Sequence, residues 1–349
     1  MALEPAIEAL RSSVALRQAG ELVCLEFSGP SAFETVDRLC PIELYLRHGQ
    51  MQHTLLLDDD ALPVADLYVA CHEEDFIFLA EEREPGAIMS HLRSHLPAAP
   101  GAEVKDLRAT HGVIALDGPF AWELLGAVVG PEIIGLPYLT FARLDSLYCF
   151  RGGKTGEFGY YLMAPLAEIG EHEARLVEAG GPFDLGRSDL AAVEQCSLEN
   201  FFFNIRKEGG SKASPLELQL QWRISHHKDF VGSQALKRRR ERGIEHRLSC
   251  LVSREKVGAG DPVFAGPDLV GCVVNAGFSF TRGDWVALAL LDLRHAYPGL
   301  DLSCGGEPGR PHPVRTVTPP VINNRSLHVS PQAHAYATRS EIRFPPLVV

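Results

Sequence analysis

The chain lacks an excess of basic residues. Its 349 residues include 33 lysines and arginines against 45 aspartates and glutamates, which gives a formal net charge of -12. General nucleic-acid binding needs a basic surface, so we predict no nucleic-acid partner. Hydrophobic residues make up 46% of the chain and charged residues 22%, the ordinary balance of a globular protein with a sizeable core.

Paired cysteines at metal-site or redox spacing are also missing. The eight cysteines include no Cys-x-x-Cys, which argues against a zinc ribbon or a thioredoxin-like site. Most of them lie beside apolar residues, as Cys24 does, and we expect buried, reduced thiols. Reduced thiols are typical of the cytosol, so we predict a cytoplasmic location.

Long hydrophobic runs are absent. The longest, near residues 285–291, is too short to cross a bilayer, and we predict no membrane partner. The first residues, 1–5, carry no basic segment with an apolar run behind it, so the sequence predicts no signal peptide.

Several catalytic signatures are missing as well. The chain has no Gly-x-Ser-x-Gly, which disfavours a hydrolase with a serine nucleophile. The segment Gly152-Gly-Lys-Thr155 lacks the spaced first glycine of a phosphate-binding loop and lies in a predicted hairpin. The adjacent His226 and His227 would point apart in a strand, and we predict no metal site.

The periodicity of the chain predicts an α+β fold. In its first hundred residues the predicted elements are a helix at 4–19, a strand at 21–27, a helix at 31–40, strands at 52–58, 64–71 and 75–80, and a helix at 84–96. This order indicates a ferredoxin-like layer. From residue 246, short strands between glycine, proline and aspartate turns predict a small antiparallel barrel or sandwich.

A dense basic run occupies residues 237–243, Lys-Arg-Arg-Arg-Glu-Arg-Gly. We interpret it as a helix end with a glycine cap, because basic side chains are favoured at that end of the helix dipole. A site for an anion or a partner is the alternative interpretation.

Six short motifs follow one another along the chain. They are Ala65-Asp66-Leu67, the strand His111 to Pro119, the glycine-rich hairpin Arg151 to Tyr161, Ser197-Leu-Glu199, the pair Pro215-Leu-Glu217 and Lys228 to Leu236, and Asn275-Ala-Gly-Phe-Ser279. Each motif is weak alone. Their order and spacing resemble the folate-dependent aminomethyltransferase family, whose type member is the T-protein of the glycine cleavage system.

The resemblance implies three lobes around a central channel that holds the pterin of tetrahydrofolate. It implies a first α+β domain from residues 1–27 and 109–240, an inserted ferredoxin-like domain at 28–108, a C-terminal barrel at 245–305 and an extended proline-rich tail at 306–349. The catalytic aspartate of the family falls on Asp66, which we expect to be a partly buried carboxylate with a raised pKa. A strand-edge aspartate that faces water is the alternative.

The chain departs from the family pattern where the family binds the pterin. Tyr161 replaces a glutamate, and a phenol cannot accept two parallel hydrogen bonds as a carboxylate does. Lys154 replaces a tyrosine, Val193 an arginine and Ser197 another arginine, whereas Glu199 is retained.

We therefore predict a remodelled ligand site around Asp66. Its cofactor-binding or substrate-binding residues are His53, Tyr68, Arg151, Lys154, Tyr161, Glu199 and Trp222. Each of four residues also has a non-functional interpretation. Tyr68 and Tyr161 could be aromatic residues of the core or its rim, and His53 and Lys154 could be exposed to solvent.

Three functions remain open. The first is a methyl or aminomethyl transferase or demethylase that uses tetrahydrofolate and a small-molecule substrate other than the glycine-cleavage carrier, so no lipoyl carrier is expected. The second is a folate-independent enzyme of specialised metabolism on the same scaffold. The third is a non-catalytic folate-binding module of the kind that assists iron–sulfur repair, which the absence of a cysteine in Gly152 to Glu157 disfavours. The oligomeric state is open.

Overall fold

The computed structural model describes residues 2–96, 101–305 and 311–349. In these ranges the α-helices are α1 (Leu3–Ser12), α2 (Ala32–Leu39), α3 (Ala87–His95), α4 (Ala121–Val129), α5 (Ile169–Gly180), α6 (Leu190–Asn200) and α7 (Ser233–Arg242). The strands are β1 (Ala15–Gln18), β2 (Val23–Ser28), β3 (Met51–Leu57), β4 (Pro63–His72), β5 (Asp75–Glu82), β6 (Glu103–Asp106), β7 (His111–Asp117), β8 (Phe141–Leu144), β9 (Leu147–Arg151), β10 (Gly159–Pro165), β11 (Gly186–Arg187), β12 (His246–Ser253), β13 (Pro262–Ala265), β14 (Asp268–Ser279), β15 (Asp284–Asp292), β16 (Asp301–Cys304) and β17 (His312–Val317).

The first sheet joins the N-terminal segment to the middle of the chain. Its strand order is β11-β1-β7-β10-β9-β8. Helices α4 and α5 cover one face, where Leu124, Leu125 and Leu176 pack on the strands. The predicted helix at 4–19 is wrong at its end: α1 stops at Ser12, and residues 15–18 form β1, whose backbone pairs with both β7 and β11.

The second sheet is antiparallel, with the order β3-β4-β5-β2-β6. Helices α2 and α3 cover one face. Apolar side chains of its other face pack against the first sheet, so the two sheets enclose a shared core that contains Tyr68 and Tyr161. Strand β2 bonds to β5 and β6. It therefore belongs to the second sheet, and the predicted boundary after residue 27 is corrected to the turn between β1 and β2.

The C-terminal unit is a closed antiparallel barrel with the order β12-β15-β14-β13-β16-β17. Pairing between β12 and β17 closes it. Strand β17 falls in the predicted tail of 306–349, so the barrel extends beyond the predicted limit of 305. Residues 306–310 of that segment lie outside the described residues. After the barrel the chain returns to the first sheet, where the Tyr336 hydroxyl donates to Asp184 Oδ2 at 2.5 Å.

The protein is thus an α+β fold with two sheet-and-helix layers and a closed barrel, as predicted. None of the helices in the described ranges has both the length and the apolar character that a bilayer crossing requires.

Candidate active site

Asp66 lies at the centre of a buried ion cluster. Its carboxylate is fully shielded from solvent, and Oδ1 accepts from His53 Nε2 and from Arg223 Nη1, each at 2.7 Å. The ammonium of Lys154 forms an ion pair with Oδ2. A buried carboxylate is stable only when it is paired and hydrogen-bonded, and here one side chain from the neighbouring strand β3 and two from later parts of the chain do this.

Strand register explains how the cluster is assembled. In β4, Asp66 and Tyr68 are two residues apart and share one face of the sheet. Their cross-strand partners are Glu81 on β5 for Asp66 and His53 on β3 for Tyr68. The His53 and Tyr68 rings therefore stack, with their centroids 4.4 Å apart.

The glycine-rich hairpin brings Lys154 to Asp66. A Cβ atom on Gly152 would lie 3.4 Å from the Tyr68 ring, and one on Gly153 would lie 3.1 Å from an Asp117 carboxylate oxygen. The Tyr68 hydroxyl donates to the Gly153 carbonyl at 3.1 Å. This hydrogen bond ties the hairpin to the second sheet, where Lys154 reaches the Asp66 carboxylate.

Lys154 has two further contacts. Its Nζ lies 3.2 Å from Glu81 Oε1 and donates to the Phe203 carbonyl at 3.0 Å. The cluster continues outward from Glu81, because Arg206 bridges Glu81 at 3.1 Å and Glu194 at 3.0 Å. Lys154 is 5% exposed, so the alternative of a solvent-exposed turn lysine is wrong.

The charges in this cluster set the protonation states. Burial raises the pKa of Asp66, but Lys154, His53 and Arg223 outweigh burial and hold that pKa well below its usual range. The expectation of a raised pKa is therefore wrong, because it omitted the cations around the carboxylate. Burial lowers the pKa of Lys154, but Asp66 and Glu81 more than reverse this and raise it. Both groups are charged at neutral pH.

His53 has a pH-dependent effect on stability. Burial lowers its pKa to about 4, against an ordinary 6.5. The unfolded chain therefore takes up a proton that the folded chain refuses, and stability falls as the pH drops from about 6.5 towards 4. At pH 5 the cost is about 2 kcal/mol.

We expect His53→Gln to lose less stability than the wild type between pH 7.5 and pH 5 in urea unfolding. Equal losses would contradict this assignment.

Arg223 and Trp222 connect the cluster to the surface. Arg223 is 2% exposed, whereas the neighbouring Trp222 is 64% exposed, and the guanidinium carbon lies 4.7 Å from the centre of the indole. Trp222 was predicted from the sequence, whereas Arg223 was not. No local pattern distinguishes an arginine that reaches a carboxylate 157 residues away from one that faces water.

Tyr161 lies near Tyr68 in the core between the two sheets. It is buried on β10, and its ring centroid lies 6.3 Å from that of Tyr68. Burial raises the pKa of Tyr161, and the phenol is neutral. The structure therefore brings together Asp66 and four of the predicted binding residues, namely His53, Tyr68, Lys154 and Tyr161.

Arg151 does not belong to this group. On β9 it alternates with Phe150, which packs with Tyr161 between the sheets. The Arg151 guanidinium lies on the helical side of the first sheet, 4.5 Å from the centre of the Phe158 ring and 4.8 Å from that of Tyr160. The prediction of Arg151 beside Asp66 is thus corrected, because adjacent residues of a strand face opposite ways.

Glu199 belongs to a second buried network. Its carboxylate accepts from Arg11 Nη2 and from Ser279 Oγ, each at 2.6 Å. Arg11 also contacts Glu157 at 3.3 Å and Asn324 Oδ1 at 2.9 Å. These contacts join α1, the hairpin, α6, the barrel and the C-terminal segment. The predicted ligand-binding role of Glu199 stays a prediction, and in this structure each of its oxygens accepts a hydrogen bond within the network.

Two surface cavities lie away from the Asp66 cluster. One, of about 840 Å³, separates α1 from the C-terminal segment, and another, of about 590 Å³, lies beside the start of α7. Neither is lined by Asp66 or its ion-pair partners. All the residues that contact Asp66 are less than 10% exposed. A ligand that approached Asp66 from solvent would therefore have to displace at least one of these side chains, and Trp222, next to Arg223 in the chain, is 64% exposed.

The two layers, the closed barrel and the buried carboxylate define a protein of the T-protein architecture. The chain belongs to the glycine cleavage T-protein family: the GCVT N-terminal domain matches residues 2–228, and the glycine cleavage T-protein C-terminal barrel domain matches residues 246–323. The family resemblance and the prediction of an aminomethyltransferase-like transferase are confirmed.

Two relatives and one solved structure illustrate the similarity. The aminomethyltransferase of Rubrobacter xylanophilus is 29% identical over 81% of this chain and 77% of its own length. That of Mycobacterium leprae is 28% identical over 90% of this chain and 87% of its own. The glycine cleavage system aminomethyltransferase T of Bartonella henselae superposes with a TM-score of 0.81, at 20% identity, over 92% of this chain and 90% of its own. This last likeness establishes the fold.

Proposed function

We propose that the protein is a tetrahydrofolate-dependent one-carbon transferase or demethylase that acts on a small-molecule donor other than the glycine-cleavage carrier. One observation carries the proposal. Asp66, on which the catalytic aspartate of the family falls, is a buried carboxylate held ionised at the centre of a polar cluster. We propose folate dependence because the chain belongs to a folate-dependent family. We propose a small-molecule donor because Tyr161 and Lys154 differ from the residues that the family has at these positions.

The residues around Asp66 fit tetrahydrofolate in part. The rings of His53, Tyr68 and Tyr161 supply flat surfaces against which a pterin can pack. Glu81, which lies across from Asp66 on β5, already pairs with Lys154 and Arg206, so it is not free to accept paired hydrogen bonds from the pterin. We therefore propose that the pterin is held mainly by aromatic packing. When bound, tetrahydrofolate would supply N5 and N10 as the atoms that receive the one-carbon unit.

Asp66 supplies the negative charge of the site. In a water-poor interior a fixed carboxylate stabilises positive charge that develops on a donor nitrogen. At rest this charge is matched by Lys154 and Arg223. Lys154 is anchored by Glu81 and the Phe203 carbonyl, whereas Asp66 is the one acid contact of Arg223 within the described residues. We propose that Arg223 leaves Asp66 when a ligand enters beside Trp222, which frees the carboxylate to hold a cationic donor.

Calorimetric titration with tetrahydrofolate under anaerobic conditions tests the proposal. We expect saturable binding by the wild type and about fivefold weaker binding by Trp222→Ala, because a lost aromatic contact costs about 1 kcal/mol. Tyr297→Ala is the matched control, since Tyr297 is 56% exposed on the barrel unit. Absence of binding by the wild type would overturn folate dependence and favour a folate-independent enzyme on this scaffold.

The role of Asp66 needs a charge-balanced comparison. Asp66→Asn alone leaves Arg223 buried without an acid, so we compare Arg223→Met with Asp66→Asn/Arg223→Met. The assay is one-carbon transfer to tetrahydrofolate from a panel of N-methyl and N-aminomethyl compounds. We expect the double variant to be slower than the single one by about 10²–10⁴-fold, the usual contribution of a positioned acid or base. Equal rates would remove Asp66 from the mechanism.

A further inference from the structure

We infer that the cavity between α1 and the C-terminal segment binds a free α-amino acid, with its carboxylate on Arg325, its ammonium on Glu8 and an apolar side chain against Phe344. The inference does not rest on the proposed function, because none of the ion-pair partners of Asp66 lines this cavity. It adds a second small-molecule site to the one around Asp66.

The cavity has the size of a small-molecule site. Its volume is about 840 Å³, within the range of about 300–1,000 Å³ that is usual for ligand pockets. Residues of α1 form one wall, and residues of the C-terminal segment between 325 and 344 form the facing wall. Ile342 and Phe344 are partly buried and supply apolar surface.

One side of the cavity is formed by a network whose charges are already matched. Arg339 Nη2 lies 3.2 Å from Asp184 Oδ2, which also accepts from the Tyr336 hydroxyl. The Tyr336 ring packs edge-on against Phe120, with the two centroids 5.2 Å apart. These four residues therefore shape the cavity and leave its other charges to bind a ligand.

Arg325 and Glu8 are the two lining charges without an oppositely charged partner. Neither forms an ion pair within 4.0 Å among the described residues, and Nε of Arg325 is buried without a hydrogen-bond acceptor. Both residues also line a neighbouring cavity of about 390 Å³, so they lie at the border of the two cavities. A cation and an anion that share a border without touching leave room for a group that carries both charges.

A free α-amino acid matches this arrangement. One carbon atom separates its ammonium from its carboxylate, and a guanidinium can hold a carboxylate through two parallel hydrogen bonds. The Arg325 guanidinium carbon lies 5.1 Å from the centre of the Phe344 ring, so the carboxylate site adjoins apolar surface. A simple anion fits less well, because Glu8 lines the same cavity and Glu4, one turn earlier on α1, lines the smaller one.

Calorimetric titration with three compounds that share a phenyl group tests the inference. L-Phenylalanine carries both charges, 3-phenylpropionate lacks the ammonium, and 2-phenylethylamine lacks the carboxylate. We expect the wild type to bind L-phenylalanine about tenfold more tightly than 2-phenylethylamine, the order expected for hydrogen bonds between charged groups. The preference over 3-phenylpropionate should be about threefold, because Glu8 is exposed to solvent.

Two variants assign each charge of the ligand to one residue. Arg325→Met should lose the preference over 2-phenylethylamine and keep the preference over 3-phenylpropionate, and Glu8→Gln should do the reverse. Arg343→Met and Glu341→Gln are the matched controls, because both residues are exposed in the same segment, line neither cavity and should leave both preferences intact. Glu8→Gln changes an exposed side chain, so it keeps the test decisive if Arg325→Met does not fold.

Three results would overturn the inference. Equal affinity of the wild type for the three compounds would mean that only the phenyl group is recognised. Preferences that survive in both variants would mean that the amino acid binds elsewhere. Absence of binding by both L-phenylalanine and L-leucine would mean that Arg325 and Glu8 pair with each other and hold no ligand. None of these results bears on folate dependence, which the tetrahydrofolate titration tests separately.

Discussion

Asp66→Asn should lower the free energy of unfolding by about 3–5 kcal/mol, the usual cost of removing one partner from a buried ion pair. The variant leaves Arg223, which is 2% exposed, without an acidic partner, whereas Lys154 keeps Glu81. Urea denaturation at pH 7.5, followed by far-UV circular dichroism, measures the loss. A drop below 1 kcal/mol would mean that water or other side chains compensate the guanidinium.

A double-mutant cycle with Arg223→Met separates the ion pair from simple loss of packing. Arg223→Met alone keeps Asp66 paired with Lys154, and Asp66→Asn/Arg223→Met removes one charge of each sign. We expect the double variant to be more stable than the sum of the single losses by at least about 1 kcal/mol, because contacting charges couple. Losses that add within about 0.5 kcal/mol would show that the two residues act independently.

Arg11→Met should be as damaging, although Arg11 lies outside the Asp66 cluster. The substitution leaves Glu157 and Glu199 buried without their shared cation, and we expect a loss of about 3–5 kcal/mol. Arg17→Met is the matched control. Arg17 is equally buried, but its partner Glu21 has a side chain that is 19% exposed and can return to water.

The same urea titration distinguishes the two arginines. We expect Arg17→Met to cost clearly less than Arg11→Met, since the acid it leaves behind is hydrated. Equal losses of unfolding free energy would mean that the carboxylates left without a cation do not set the cost. The cost would then come from the changed packing of the arginine's aliphatic stem, which methionine replaces only in part.

Strand pattern and motif order were enough to predict the fold. Alternation predicted β3, β4 and β5 to within two residues, and the turn-rich C-terminal sequence predicted the barrel. The pattern failed for β1, because its four residues continue the apolar spacing of α1 and only pairing with β7 makes them a strand. It failed for β17, because prolines in that region suggested a tail.

The site was predicted less completely than the fold. Asp66, His53, Lys154 and Tyr161 came from motif positions, and the structure places them together. Arg151 was misassigned although strand alternation with Phe150 contained the correction. Arg223 could not be found from the sequence, since its role arises when the segment after Leu220 folds over β4, and no local spacing records that contact.

The buried network of Arg11, Glu157 and Glu199 also affects the order in which parts of the chain can fold during translation. Glu157 accepts from the backbone and hydroxyl of Ser326, which is made 169 residues later. At ordinary rates of translation, the ribosome needs roughly ten to thirty seconds to cover that distance. During this time Glu157 of the nascent hairpin can pair with Arg11 but still lacks its hydrogen-bond donors at Ser326. Completion of the N-terminal half therefore waits for the C-terminal segment, and a chain that stalls before Ser326 would carry an unfinished hairpin to the cell's quality control.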